Sequence, residues 1–122
     1  MPRPRLAMTP AEVAAFLAAK RLAVIGTLDA QGAPDGEPAD VSCVDGTLLV
    51  RVAADGPAQR NLRRDPRVVC ALEEFPSYAE IRGVSLHGRA VPVGVSDGQA
   101  TFHVTEPRVE SFDFRKMRRP GP

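Results

Sequence analysis

Residues 21–53 read RLAVIGTLDAQGAPDGEPADVSCVDGTLLVRVA, and this stretch decides the fold. It holds three apolar runs that are separated by turn residues. The sequences DAQG at 29–32 and Asp45-Gly46 are hairpin signals, because glycine adopts positive φ without steric cost. We therefore predict three antiparallel strands joined by tight turns. Their bounds are 21–28, about 37–44 and 47–53.

The chain before this stretch starts a helix. Thr9 is a capping residue, Pro10 fits the first helical position and Glu12 completes a capping box. The apolar positions that follow lie on one face of this helix. They are Val13, Phe16 and Leu17.

The chain after this stretch alternates between a short helix and further strands. The helix opens at Gly56-Pro57 and ends before Pro66. Gly83 and Gly88 indicate bulges or bends within a long strand. Together the pattern predicts six or seven strands and two short helices, which suit a closed antiparallel barrel with helices outside it. The later strands are expected at 67–73, 78–95, 100–104 and about 108–114.

Length and composition favour one domain, at 9–117, with a flexible arm at 1–8 and a flexible tail at 118–122. The net charge of +1 excludes a general nucleic-acid binder, which would carry a large basic excess. No segment reaches the roughly 20 apolar residues that span a bilayer, and the first residues lack the apolar run of a signal peptide. We therefore expect a cytoplasmic protein that binds neither nucleic acid nor membrane.

Cysteine and histidine usage does not indicate a metal site. Cys43 and Cys70 each lie in an apolar run, where a cysteine behaves as a small hydrophobic residue. A disulfide or a reactive thiol is the alternative. There is no C-x-x-C pair, and His87 and His103 are far apart in the sequence, so we predict no metal.

Four motifs in order carry a family resemblance. They are AVIGTLDAQGAPDGEP at 23–38, NLRRDPRV at 61–68, YAEIRGV at 78–84 followed by GRA at 88–90, and VESFDFRK at 109–116. With this spacing the chain, from about residue 9 to 117, resembles the pyridoxamine 5'-phosphate oxidase-like split-barrel proteins. Within that family it is most similar to the small bacterial flavin- and deazaflavin-dependent oxidoreductases.

The resemblance implies a mainly β, six-stranded antiparallel split barrel that forms a homodimer with cofactor sites lined by both subunits. It implies FMN or the deazaflavin coenzyme F-420 as cofactor, and hydride transfer to an unsaturated or conjugated small molecule. In such enzymes the cofactor carries the chemistry and the protein positions it. The alternative is a non-catalytic dimer, a carrier or accessory protein that binds a cofactor or none.

The resemblance also implies where the cofactor lies. The strand residues from Pro38 to Ser42 would follow the flavin ring, and Arg51 points toward the phosphate region. No catalytic side chain is assigned. The implied cofactor-binding residues are Pro38, Asp40, Ser42, Arg51, Gln59 and Arg60.

Two departures from the family pattern bear on function. The family commonly has a phosphate-binding lysine where this chain has Ala58, so the phosphate site is either rebuilt from Arg51 and Arg60 or lost. The family also has a helix where residues 95–99 offer only turn chemistry. Its absence favours an open pocket, a bulky substrate or a protein without enzymatic activity.

Overall fold

A computed structural model describes residues 5–117, which form two α-helices and six β-strands. Residues 1–4 of the expected arm and the whole expected tail, 118–122, lie outside this described part. Short 3₁₀ turns follow the fourth and sixth strands, at Tyr78–Glu80 and Phe114–Met117. The helices and strands in chain order are α1 (Pro10–Ala19), β1 (Leu22–Leu28), β2 (Pro34–Val44), β3 (Thr47–Ala53), α2 (Pro57–Arg64), β4 (Arg67–Glu74), β5 (Arg82–Ser96) and β6 (Gln99–Asp113).

The six strands close into an antiparallel barrel in the order β1-β2-β3-β6-β5-β4. Successive side chains alternate between the barrel interior and the outside, as the pleat requires. On β2, for example, Ala39 and Val41 are buried whereas Asp40 is exposed. The predicted six-stranded barrel with flanking helices is therefore confirmed.

The local turn and cap signals are also confirmed. Asp45 and Gly46 both have positive φ, at 52° and 79°, as a tight two-residue hairpin requires. At the start of α1, the Glu12 N–H donates to Thr9 Oγ1 over 3.2 Å, and the Thr9 N–H donates to Glu12 Oε1 over 2.9 Å. Both halves of the capping box are present.

Three strand predictions are wrong in detail. β2 begins at Pro34, because its pairing with β1 continues to the Leu28–Pro34 pair. The long strand begins at Arg82, after a 3₁₀ turn. The two expected closing strands are one continuous strand, β6, which bends where Glu106 has a φ of 48°. At this point Glu106 and Pro107 face the single residue Gly88 of β5, so the extra residue of β6 forms a β-bulge.

The two marked glycines on β5 differ in role. The register with β6 shifts between His87 and Arg89, so an irregularity at Gly88 is confirmed, but the extra residue lies on β6, where Glu106 and Pro107 face Gly88. At Gly83 the pairing is regular, so of the two alternatives expected there a bulge is wrong. A Cβ at Gly83 would instead lie 2.8 Å from the Phe112 ring, so glycine is needed there for close packing.

The described part of the expected arm lies along β6. The Asp113 N–H donates to the Leu6 carbonyl over 2.8 Å, and the Met8 N–H donates to Ser111 Oγ over 2.9 Å. Met8 itself is buried. Neither of the helices within residues 5–117 is long and apolar enough to cross a membrane.

Candidate functional site

An outward strip on β2 and β3 brings four of the expected site residues together. Pro38, Asp40 and Ser42 alternate with buried residues, so they share the outer face of β2. Arg51 is the register partner of Asp40 on β3. Its Nη1 donates to Ser42 Oγ over 3.4 Å, and within residues 5–117 it forms no ion pair. The Arg51 guanidinium is therefore free to bind an anionic group.

The strip borders a groove of about 320 Å³. The groove lies where the β2–β3 pairing ends, because the ladder begins at the Asp40–Arg51 pair and does not reach Pro38. The lining residues are Leu22, Glu37, Pro38, Ala39, Asp40, Arg51, Val52, Ala53 and Gln99.

Glu37 lies at one end of this groove and contacts the start of α2. Its Oε1 accepts a hydrogen bond from the Ala58 N–H over 2.9 Å. The N-cap residue Gly56 has no side chain to do this. A carboxylate thus occupies the helix start, where partial positive charge favours anions. Sequence reasoning missed Glu37, although its inward position two residues before buried Ala39 was a usable signal.

The other two expected site residues lie on α2. Arg60 is exposed, and its Nη1 donates to the Asp55 carbonyl over 2.6 Å. Gln59 is buried on the helix face that covers the barrel. Neither lines the groove, so their contact with a cofactor stays a prediction.

A buried polar network holds α2 against the barrel. Asn61 Nδ2 donates to Thr27 Oγ1 over 3.0 Å and to Asp35 Oδ2 over 3.1 Å. Asn61 Oδ1 accepts from Arg64 Nη2 over 2.9 Å. Asn61 and Thr27 are both buried, so these bonds satisfy groups that water does not reach.

The opposite end of the barrel, below α1, contains an apolar cavity of about 750 Å³. Interior-facing Cys43 and Leu86 contribute to its walls, with Leu17 from α1. Val109 also lines it and is 44% exposed, so the cavity is not sealed from solvent on that side. The remaining lining residues are Ala7, Met8, Pro10, Val13, Ala14, Ala18, Asp45, Gly46, Pro107, Glu110 and Ser111.

A small polar cluster lies on the outer face of β5 and β6. His87 Nε2 is 3.2 Å from Ser85 Oγ and 3.6 Å from Glu110 Oε2. Both partners approach the same ring nitrogen, and Glu110 also pairs with Arg108. A proton relay needs partners on opposite ring nitrogens, so this arrangement is not a nucleophile–base–acid triad.

The β5–β6 connection leaves the outer face next to the strip uncovered. Ser96 pairs with Gln99 directly across Asp97 and Gly98, so the expected direct hairpin without a helix is confirmed. The last part of β5 is uncharged and exposed, with Val93 62% and Val95 63% accessible.

Comparison with known proteins agrees with this architecture. The family model described as pyridoxamine 5'-phosphate oxidase matches residues 9–120. The chain belongs to this family. Among solved structures, a conserved hypothetical protein, Rv2991, from Mycobacterium tuberculosis has a TM-score of 0.83 at 25% identity, over 100% of this chain and 95% of that one.

Two further structures show the same fold in proteins with different ligands. A FAD-binding protein from Mesorhizobium loti has a TM-score of 0.74 at 16% identity, over 88% of this chain and 96% of that one. The heme storage protein HutZ from Vibrio cholerae has a TM-score of 0.69 at 16% identity, over 85% and 94%. No curated protein matches the chain. Pyridoxamine 5'-phosphate oxidase family membership therefore fixes the fold but not the ligand.

Proposed function

We propose that the protein is a flavin- or deazaflavin-dependent oxidoreductase whose cofactor lies along the outer strip of β2 and β3. The observation that carries this proposal is Arg51, which lines a groove on the same face as Pro38, Asp40 and Ser42 and forms no ion pair within residues 5–117. An unpaired guanidinium fits a phosphate through paired N–H donors. The start of α2 does not fit a phosphate, because Glu37 already occupies it.

The protein's share of the chemistry is binding and orientation. A bound flavin or deazaflavin would supply the hydride, which passes to an unsaturated or conjugated substrate. Arg51 would hold the phosphate, and Ser42 orients the Arg51 guanidinium through the 3.4 Å hydrogen bond. The direct β5–β6 hairpin leaves one side of the strip open, which favours bulky planar substrates over small ones.

We also propose that the protein is a homodimer. Leu22 and Val24 on β1 are exposed apolar side chains that a monomer would leave in water. An obligate dimer typically buries well over roughly 1,000 Å², enough to cover such surface. Sedimentation equilibrium at micromolar concentration should give the mass of two chains. The mass of a single chain would refute the dimer and the shared site.

Cofactor titration tests the proposed site. Wild-type protein should bind FMN or the deazaflavin coenzyme, and Arg51→Ala should weaken binding about tenfold or more, the value of a hydrogen bond to a charged group. Arg63→Ala is the matched control, because Arg63 is exposed on α2 and away from the groove. Wild-type protein that binds neither cofactor at high micromolar concentration would contradict the proposal.

A non-catalytic split-barrel dimer is the second candidate, and one observation favours it. Ala58 offers no cation at the helix start, and the Glu37 carboxylate occupies the same N–H group. A carrier or accessory protein needs no bound hydride donor. Dimeric protein that purifies colourless and binds neither cofactor would support this candidate over the first.

A further inference from the structure

We infer that Glu37 is a specificity-determining residue that keeps phosphate groups away from the start of α2, so that Arg51 alone receives a ligand's phosphate. This role of Glu37 rests on the proposed function only for its flavin experiment, because the 2.9 Å contact joins two groups of the chain itself.

The helix start has almost no N–H groups left to offer an anion. Pro57 has none, and the Ala58 N–H donates to Glu37. The Arg60 N–H donates to the Gly56 carbonyl over 3.2 Å. Within the first turn this leaves only the N–H of Gln59, whereas a phosphate at a helix start is held by several converging N–H groups.

The nearby cations do not compensate for the Glu37 carboxylate. Arg60 and Arg64 hydrogen-bond the neutral Asp55 carbonyl and Asn61 Oδ1, and neither forms an ion pair with Glu37 in the described part of the chain. A phosphate at Ala58 would therefore have to displace Glu37 and would face its negative charge at close range. Arg51 also lines the groove and forms no ion pair within residues 5–117, although Asp40 is its register partner on the same face.

Inorganic phosphate tests the inference without a cofactor. Backbone amide NMR should show no shift of the Ala58 and Gln59 signals when wild-type protein is titrated with phosphate against chloride of equal ionic strength. Glu37→Ala frees the Ala58 N–H, so both signals should then shift saturably with phosphate. Glu37→Arg removes the carboxylate and adds a cation, and should bind phosphate more tightly than Glu37→Ala.

Asp40→Ala is the matched control, because it removes one negative charge from the same groove and leaves the Glu37 contact in place. Phosphate should leave its Ala58 and Gln59 signals unchanged. Phosphate shifts at Ala58 in wild-type protein, or equal shifts there in Asp40→Ala and Glu37→Ala, would overturn the inference. Where Glu37→Arg fails to fold, Glu37→Ala gives the same comparison.

A pair of flavins extends the test to the proposed site. In Arg51→Ala, FMN and riboflavin should bind with equal affinity, because no phosphate contact remains. In the double variant Glu37→Arg with Arg51→Ala, FMN should again bind about tenfold more tightly than riboflavin. A tenfold FMN preference that survives in Arg51→Ala would overturn the inference. If neither flavin binds wild-type protein, the proposed function fails while the phosphate experiment still decides the role of Glu37.

Discussion

The two ends of the barrel are closed in different ways. At the α2 end, the helix is tied to the strands by buried polar contacts of Asn61 and by the Glu37 carboxylate. At the α1 end, the helix lies over an apolar cavity of about 750 Å³. The α2 end is therefore closed by satisfied hydrogen bonds, whereas the α1 end leaves apolar surface open to solvent.

Truncating one leucine at each end should reveal this difference. Leu62→Ala at the α2 end should cost about 3–4 kcal/mol of unfolding free energy, and Leu17→Ala at the α1 end about 2–3 kcal/mol. Both side chains are buried, but Leu17 borders the cavity and so has fewer contacts to lose. Urea unfolding of the two variants measures the costs. A larger cost for Leu17→Ala would contradict the comparison.

Removing the buried hydrogen bonds of Asn61 should have the next largest effect on the free energy of unfolding. Asn61→Ala leaves the buried Thr27 hydroxyl and the Asp35 carboxylate without their amide partner, which should cost about 2–3 kcal/mol. Arg63→Ala on the same helix is exposed and should change stability by less than about 0.5 kcal/mol. Chemical denaturation compares the two. Equal stabilities would show that the network does not hold α2.

Acid should weaken the α1 end by a smaller amount. Hydrogen bonds from Lys116 Nζ and the Thr9 N–H lower the pKa of Glu12 from 4.5 to about 2. Because the folded-state pKa is lowered, this stabilisation is present above pH 4.5 and is lost as the pH falls from 4.5 toward 2. The free energy of unfolding of Glu12→Gln should therefore decrease less than that of wild-type protein as the pH falls from 4.5 toward 2.

The control for the acid experiment is Asp45→Asn. Asp45 lies in an exposed hairpin turn, and its side chain forms no ion pair in the described part of the chain. The decrease in its free energy of unfolding at acid pH should match that of wild-type protein. If Glu12→Gln loses as much unfolding free energy at acid pH as wild-type protein does, the Lys116 contact does not stabilise the fold.

The sequence predicted those features that depend on neighbouring residues. The Thr9–Glu12 capping box and the Asp45-Gly46 turn each lie within four residues, so local chemistry specifies them. The bend at Glu106 was not predictable, because the pairing of β6 with two different strands keeps the chain extended through a Glu-Pro sequence. Long-range pairing overrides local preference there.

The candidate site was predictable only in part. Pro38, Asp40 and Ser42 share a face by simple alternation, and register places Arg51 beside them. The Glu37–Ala58 contact joins residues 21 positions apart, on a strand and a helix. Its existence depends on how α2 sits on the barrel, which no local pattern specifies.

Thiol labelling of the native protein tests most directly whether the α1 end of the barrel is open to solvent. Cys43 is half-buried and lines the open cavity, whereas Cys70 is fully buried, and burial raises the pKa of its thiol to about 12. An uncharged maleimide, followed by mass spectrometry, should therefore modify Cys43 in folded protein and reach Cys70 only after unfolding. Both thiols should react in guanidinium chloride. Equal rates for the two thiols in folded protein, or a protected Cys43, would contradict the open α1 end.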